Sequence, residues 1–312
     1  MMNKTSKTHD SLLRPGVTIL GKWHQNRYVI IRQLGKGAIG SVYLCDANGK
    51  KAALKISDKG ASMTMEVNVL KSLAKVQGKS LGPSLLDVDD WVTPQGTTFS
   101  FYVMEYIRGT SLQAFIKQNG REWIGVFLLQ LLSDLEELHE AGWVFGDLKE
   151  ENLLVSSSPT KVRWIDVGGT TLIGRAIKEY TEFYDRGYWG LGTRKAEPSY
   201  DLFALTMVFL SIFYPNKFTK GKNPQVTLLR RLQDVRALEP YRDCLKKAIL
   251  GKYLTSTEMK QEISMAIHQE QQKHIKANTT RTNKQQHKPL ALEVVGFLLV
   301  ALGYYLSSLL IP

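Results

Sequence analysis

The chain has only two cysteines among its 312 residues, Cys45 and Cys244. This scarcity excludes a disulfide framework and a Cys-x-x-Cys metal or redox pair, and it fits a reducing compartment. We expect both cysteines to be small core residues. The N-terminal residues are polar and basic, and no apolar run of the length of a signal-peptide core follows them. No secretory signal is therefore expected.

Acidic residues are in short supply, with 29 Asp and Glu against 41 Lys and Arg and a formal charge of +12. Basic chains attract polyanions. Residues 217–252 hold ten basic residues against three acidic ones, and residues 273–288 hold five basic residues and no acid. The density of the first cluster favours DNA bound without sequence preference, although charge alone does not separate DNA from anionic lipid. The candidate contacts are Lys217, Lys220, Lys222, Arg230, Arg231 and Arg236.

Charge is also missing from the C-terminal end. Residues 290–311 form an apolar run of 22 residues in which Glu293 is the only charged residue. As a helix this run is about 33 Å long, enough for the roughly 30 Å of bilayer hydrocarbon. Because basic residues precede it, we expect a single-pass anchor in the cell membrane with the bulk of the chain in the cytoplasm. Gly296 and Gly303 lie seven residues apart and leave a homodimer in the membrane open.

The rest of the chain divides into a β-rich part and a helical part. Three strand-like runs follow residue 27, and the turn between the second and third is Asn48-Gly49, a strong hairpin signal. A helix is predicted around residues 63–76, and "TTFSFYVMEYI" is a further strand. Beyond it, Leu128, Leu131, Leu135 and Leu138 recur at helical spacing, and "YDLFALTMVFLSIFY" is apolar nearly all round, which predicts a buried central helix.

Three glycines lie on the first hairpin, Gly35, Gly37 and Gly40, with Val42 two residues on. Glycines let the backbone close over a phosphate chain because no Cβ is in the way. A dinucleotide-binding site would need a helix after the glycines. Here a second strand follows, which disfavours that alternative.

Lys55 lies inside an apolar strand, where an unpaired cation is costly. A partner is therefore expected, and Glu66 on the following helix is the natural one. The alternative is two unrelated surface charges.

The segment "WVFGDLKEENLLV" at residues 143–155 brings several reactive groups together. Asp147 can orient a hydroxyl proton, Lys149 can neutralise a moving phosphoryl group, and the amide oxygen of Asn152 can bind a metal. Asp166, in "WIDVGG", is a carboxylate at a strand end and is suited to Mg²⁺. Any one of these residues alone would suggest a structural role, but their order indicates phosphoryl transfer.

These motifs together resemble the Hanks-type (eukaryotic-like) serine/threonine protein kinases over residues 27–269. With the apolar C-terminus and "GYWGLGTRKAEPSYDLFAL", the chain is most like the sporulation kinases of bacilli. The resemblance implies a bilobal α+β fold and Mg²⁺-ATP as phosphate donor to protein substrates. It also implies a role for each motif. In the small lobe, Gly35, Gly37, Gly40 and Val42 would cover the nucleotide, and Lys55, paired with Glu66, would bind its phosphates. Met104 would be the gatekeeper, Glu105 and Ile107 would lie in the hinge, Asp147 and Lys149 would act in catalysis, and Asn152 and Asp166 would bind Mg²⁺.

The resulting organisation has five parts. We predict a basic N-terminal tail over residues 1–26, a small lobe over 27–104, a large lobe over 105–269, a basic juxtamembrane linker over 270–289 and a transmembrane helix over 290–311.

The chain departs from the family pattern near the catalytic base. Phe145-Gly146 stands where the family has His-Arg, and Val167 stands where a Phe usually follows the metal-binding Asp. We expect Phe145 to take part in an apolar column with Leu70 and Val167. The missing Arg removes the cation that would receive a phosphorylated activation loop, so activation is not expected to depend on such a phosphate.

Two further departures concern the spacing of the motifs. The short interval from Lys55 to Glu66 requires the intervening helix to start early. The usual Ala-Pro-Glu is absent, and "AEP" at 196–198 is too close to Asp201, the expected start of the central helix, to replace it. Two alternatives stay open: a small-molecule kinase of the antibiotic or lipopolysaccharide-kinase type, and a pseudokinase scaffold at the membrane.

Overall fold

The computed structural model describes residues 12–37, 39–74 and 81–273, together with positions 295 and 302. The chain divides into two compact units, Met1–Ile263 and Ser264–Pro312. In the second unit residues 264–273 are helical. The linker beyond residue 273 and the membrane helix predicted over 290–311, apart from two positions, lie outside the described residues. Within the described part, no helix combines the length and the apolar character needed to cross a bilayer.

The first unit opens with a six-stranded sheet in which every neighbouring pair is antiparallel, in the order β1-β2-β3-β4-β6-β5. Asn48 and Gly49 have φ values of 55° and 82°, as a two-residue hairpin turn between β3 and β4 requires. The predicted hairpin is confirmed. The strands are β1 Thr18–Leu20, β2 Arg27–Lys36, β3 Ser41–Ala47, β4 Lys50–Ser57, β5 Leu85–Val92 and β6 Thr98–Glu105.

The predicted N-terminal tail is wrong from residue 12 onwards. β1 pairs with β2, and Leu13 and Ile19 are buried in the core of the sheet beside Tyr28 and Trp91. A strand of three residues is too short to show the alternation by which strands are recognised in a sequence. The small lobe therefore begins before residue 27.

One helix, α1 (Gly60–Leu73), accompanies the sheet. It buries Met63, Val67, Leu70 and Leu73, the spacing of a single helical face, together with Glu66. It begins five residues after Lys55, so both the helix and its early start are confirmed.

The helical lobe follows residue 105. Its short strands form two antiparallel pairs, β7 with β10 and β8 with β9. The predicted leucine face of α3 is fully buried, which confirms that helix. The elements in chain order are α2 Leu112–Asn119, α3 Trp123–Glu140, β7 Trp143–Val144, β8 Leu153–Ser157, β9 Thr160–Trp164, β10 Thr171–Leu172, α4 Pro198–Ser211, α5 Pro224–Asp234 and α6 Arg242–Ile249, and residues 256–263 are also helical.

Helix α4 lies at the centre of this lobe, and every residue from Tyr200 to Ser211 is buried. Its apolar surface on all sides is why the lobe can pack around it. The predicted central helix is thus confirmed, and "AEP" falls at its first turn, with Pro198 as its first residue. The same turn carries a buried acid, Asp201, that matters for the loop after β7.

Candidate active site

A cavity of about 570 Å³ lies between the sheet and the helical lobe. Both parts contribute to its walls, so the fold brings together residues more than a hundred positions apart. Most of the predicted site residues line it: Gly35, Gly37, Gly40, Val42, Lys55, Met104, Glu105, Ile107, Lys149, Asn152 and Asp166.

Lys55 and Glu66 form a buried ion pair at the back of this cavity. The Lys55 Nζ lies 2.7 Å from Glu66 Oε2 and 3.7 Å from Asp166 Oδ1, and the Tyr102 hydroxyl donates to Glu66 Oε2 at 2.8 Å. Burial alone would lower the pKa of Lys55, but the Asp166 and Glu66 carboxylates outweigh burial and raise that pKa above its usual value. Lys55 therefore stays cationic at neutral pH, and the predicted partner is confirmed.

The turn between β2 and β3 forms the cavity's roof. The Gly37 N–H donates to the Gly40 carbonyl at 2.8 Å and closes the turn. A Cβ on Gly40 would lie 2.3 Å from the Ile56 carbonyl oxygen, so only glycine fits there. A Cβ on Gly35, which lines the cavity, would meet nothing within 4 Å.

The loop after β7 holds the candidate base in a three-way contact. Lys149 Nζ is ion-paired with Asp147 Oδ2. The Thr181 hydroxyl donates to Asp147 Oδ1 at 3.0 Å and accepts from Lys149 Nζ at 3.2 Å. The Asp147 carboxylate is thereby fixed on both oxygens. The sequence gives no local signal for Thr181, which lies 34 residues from Asp147.

Asn152 and Asp166 supply oxygen ligands beside that contact. The Asn152 Nδ2 donates to the Asp147 carbonyl at 3.0 Å, which leaves the amide oxygen available to a cation. Asp166 Oδ1 accepts from the Gly168 N–H at 2.9 Å, and the side chain is 45% exposed. One carboxylate and one amide oxygen are ligands that Mg²⁺ accepts, so this pair fits the predicted metal.

The loop itself is anchored to α4. The Asp201 carboxylate is fully buried and accepts from the Phe145 N–H at 2.7 Å and the Gly146 N–H at 3.0 Å. His139 Nε2 contacts the same carboxylate at 2.9 Å, and His139 Nδ1 contacts Ser256 Oγ at 2.7 Å. Asp201 therefore fixes the two residues that directly precede the base.

Gly146 shows why no larger residue precedes the base in this chain. Its φ is +81°, and a Cβ there would lie 2.5 Å from the Gly169 carbonyl oxygen. Phe145 is buried and packs edge-on against Trp164, with ring centroids 4.7 Å apart. The other two members of the predicted apolar column, Leu70 and Val167, are also buried.

Two acidic residues have neighbours that the sequence did not reveal. Glu179 is half-buried near Lys55 and Asp147, and burial, followed by the carboxylate of Glu66, raises its pKa. Glu105 pairs with Arg163 at 2.9 Å, and this hydrogen bond with that of Ser84 outweighs burial and lowers the pKa of Glu105. The Glu105 side chain thus braces the hinge.

Three side chains of the predicted polyanion cluster contact other groups of the protein. Lys217 Nζ pairs with Glu151 Oε1 at 3.0 Å, Lys220 Nζ donates to the Tyr188 carbonyl at 3.0 Å, and half-buried Arg231 lies over the Tyr214 ring. Lys217 is nevertheless exposed, as are the other three side chains: Lys222, Arg230 and Arg236. Half of the basic side chains in the cluster therefore already contact a group of the protein itself.

Comparison with known proteins gives a family match and several relatives. The family profile described as "Protein kinase domain" matches residues 28–286. "Serine/threonine-protein kinase YabT" of Bacillus subtilis (strain 168) is 48% identical over 293 residues, which cover 93% of this chain and 87% of that protein. "Cell division control protein 2 homolog 2" of Trypanosoma brucei brucei is 27% identical over 222 residues, which cover 64% of this chain and 60% of that protein. "Sporulation protein kinase mde3" of Schizosaccharomyces pombe is 28% identical over 223 residues, 64% of this chain and 39% of that protein.

Proposed function

The chain belongs to the protein kinase family and is a serine/threonine protein kinase. We propose that it transfers the γ-phosphate of ATP to hydroxyl groups of proteins, its own included, with Asp147 as the catalytic base. The observation that carries this proposal is the convergence of a buried, paired Lys55, the base loop and two oxygen ligands on one cavity. Such convergence is what phosphoryl transfer requires, because its catalysis is mainly positioning and charge neutralisation.

The cavity's back and roof are suited to the phosphates of the donor. Lys55 offers a cation whose direction Glu66 fixes, and three glycines without a Cβ line the cavity: Gly35, Gly37 and Gly40. Asn152 and Asp166 would hold Mg²⁺, which when bound supplies positive charge to the phosphates.

Asp147 acts on the acceptor. Its carboxylate orients the incoming hydroxyl and accepts its proton, while Lys149 offers positive charge to the transferring group. We call residues 166–197, between the metal-binding Asp166 and α4, the activation segment. Thr181 belongs to it and contacts both Asp147 and Lys149, so this segment and the base loop are held together at the reacting point.

The alternatives are less well supported. A pseudokinase would require the loss of a catalytic position, and each position keeps a residue of the required type with the contacts described above. A small-molecule kinase was favoured by the missing Ala-Pro-Glu, but the family profile and the 48% identical relative both describe protein kinases.

Membrane attachment is the second part of the proposal. Its support is the apolar run at 290–311 and the basic residues before it. We infer that this run anchors the enzyme in the cell membrane with the kinase domain in the cytoplasm.

Control by a polyanion, DNA in the first instance, is the third part. Its support is the excess of basic residues over residues 217–252. Because Lys217, Lys220 and Arg231 are engaged within the protein, the exposed side chains of Lys222 and Arg230 are the ones that we expect to contact phosphates first. Arg236 is exposed in the same way.

The replacement Asp147→Asn should lower kcat by about 10²- to 10⁴-fold, because it removes the proton acceptor. Lys55→Ala should lower kcat/KM by a comparable factor, because the phosphates lose their cation. The assay is transfer of labelled phosphate from Mg²⁺-ATP to a generic protein acceptor by the full-length chain in detergent. The control is Lys51→Ala, which removes an exposed lysine from the same strand and should leave the rate unchanged. Near-normal incorporation by both site variants would refute the assignment.

Thr181→Ala should lower kcat by roughly ten- to a hundredfold, because Asp147 and Lys149 both lose a hydrogen bond. Thr181→Ser, which keeps the hydroxyl, should retain most of the rate. Thr193→Ala removes an exposed hydroxyl from the same segment and serves as the control. An equal loss in Thr193→Ala and Thr181→Ala would instead point to a phosphorylation requirement.

Deletion of residues 290–312 should release the chain from membranes that have been washed at alkaline pH, because a spanning helix resists this treatment and surface binding does not. The intact chain should stay in the membrane pellet under the same wash. Release of the intact chain would show that the apolar run does not span the bilayer.

The triple replacement of Lys222, Arg230 and Arg236 by Ala should reduce the slope of log affinity for duplex DNA against log salt by about 2 to 3, since each phosphate contact contributes about 0.9. The matched control replaces three exposed small-lobe lysines, Lys50, Lys51 and Lys71, by Ala and loses the same charge. If the two triple replacements lower the slope equally, DNA binding depends on the net charge of the protein and not on this cluster. Binding to anionic vesicles without binding to DNA would move the partner to the membrane surface.

A further inference from the structure

The loop between Thr181 and α4 contains two arginines, each paired with an acid of the same loop. Arg194 Nη2 lies 2.8 Å from Asp185 Oδ2, and the Asp185 side chain is fully buried. Arg186 Nη2 lies 2.6 Å from Glu197 Oε1, and only 6% of the Arg186 side chain is exposed. These two ion pairs, which we call the loop pairs, close the loop on itself.

Hydrogen bonds complete both loop pairs. Asp185 also accepts from the Gly187 N–H at 2.9 Å, the Tyr188 N–H at 2.9 Å and the Tyr200 hydroxyl at 3.0 Å. Arg186 also donates from Nε to the Thr193 carbonyl at 2.8 Å and from Nη1 to Ser199 Oγ at 2.7 Å. Buried charges that are saturated in this way hold one geometry, because any displacement leaves a charge without a partner.

Gly192 packs directly against the Arg186 side chain, where a larger residue has no space. A Cβ on Gly192 would lie 2.8 Å from Arg186 Cδ and 2.9 Å from Arg186 Nε. Arg186 is held at all three guanidinium nitrogens and cannot move aside without losing those bonds. A larger residue at position 192 would therefore disturb the pairing.

Consecutive residues of α4 connect this loop to the base. Tyr200 donates to Asp185, and Asp201 accepts from the N–H groups of Phe145 and Gly146, directly before Asp147. Asp185 itself follows Thr181 by a single 3₁₀ turn, Glu182–Tyr184. One turn of α4 thus holds both sides of the Thr181–Asp147 contact.

We propose that the loop pairs, and Asp185 above all, are positioning groups that hold Thr181 on Asp147 without any phosphate on the activation segment. This proposal rests on the proposed kinase function. Gly146 gives the segment no cation at the base for a phosphate to bind, and Arg186 and Arg194 are already paired with carboxylates. The order that a phosphate–arginine contact can give a segment comes here from carboxylate–arginine contacts within the chain.

The proposal is tested by steady-state kinetics on the full-length chain in detergent, dephosphorylated by a phosphatase that is removed before the assay. Asp185→Asn keeps the size of the side chain and removes its charge. It should lower kcat/KM for the protein acceptor by about tenfold or more, while KM for ATP stays within about twofold. Rates are expressed per active site, titrated by ATP binding, because a smaller folded fraction lowers the apparent kcat without changing KM for ATP.

Epistasis with Thr181 separates positioning from simple stability. If Asp185 acts through Thr181, the double variant Asp185→Asn/Thr181→Ala should be no worse than Thr181→Ala by more than about twofold. Independent, multiplying losses would overturn the proposal.

Glu197→Gln gives a second variant in case Asp185→Asn does not fold. Glu197 is 38% exposed, and Arg186 keeps its bonds to Thr193 and Ser199. This variant should lower kcat/KM for the acceptor by roughly threefold or more and should speed tryptic cleavage after Lys195. The matched control is Glu262→Gln, which breaks an ion pair with Lys247 in another part of the unit and should change neither readout.

The outcomes distinguish this inference from the proposed function. Absence of any transfer from Mg²⁺-ATP by the untreated wild type would overturn the proposed function itself. An active wild type with unaffected Asp185→Asn and Glu197→Gln would overturn only the inference. A wild type that loses about tenfold or more of its initial rate on dephosphorylation would do the same, because the segment would then depend on phosphate.

Discussion

The position of Asp147 depends on the hydrogen bonds that the buried carboxylate of Asp201 accepts. A buried charge is tolerated only when donors surround it, and Asp201 takes two of its donors from the backbone directly before Asp147. The base loop is thus tied to α4, the buried helix at the centre of the lobe. Since Tyr200, the preceding residue, binds Asp185, the activation segment is tied to the same turn. The base and its threonine partner are aligned because they share this support.

The pair of Lys55 and Glu66 plays the corresponding part in the other lobe. A buried ion pair adds little net stability, because removing two charges from water offsets their attraction. Its value here is direction: Glu66, itself held by Tyr102, aims the Lys55 ammonium into the cavity within 3.7 Å of Asp166. The sheet, α1 and the strand end that carries Asp166 therefore meet at one cation.

The departures from the family pattern are local and each has a structural counterpart. Gly146 adopts a positive φ against Gly169, where an arginine side chain has no room. The segment between Thr181 and α4 lacks Ala-Pro-Glu and instead carries two ion pairs, each with one buried member. In the basic cluster, Lys217 is paired with Glu151, and both Lys217 and Arg231 lie over aromatic rings. Net charge in the sequence therefore overstates what this surface offers a partner.

The sequence alone determined the features that depend on residues close together in the chain. These are the hairpin at Asn48-Gly49, the buried helix α4, the pairing of Lys55 with Glu66, and the order of the groups around Asp147 and Asp166. Strand alternation, helical period and motif spacing are local properties, so a single chain displays them. Contacts between distant segments were decided only by the tertiary structure. β1 was too short to leave a pattern, Thr181 reaches Asp147 from 34 residues away, and Lys217 finds Glu151 from 66 residues away. Such contacts arise from how helices and loops pack, and no local spacing encodes which polar groups packing leaves side by side.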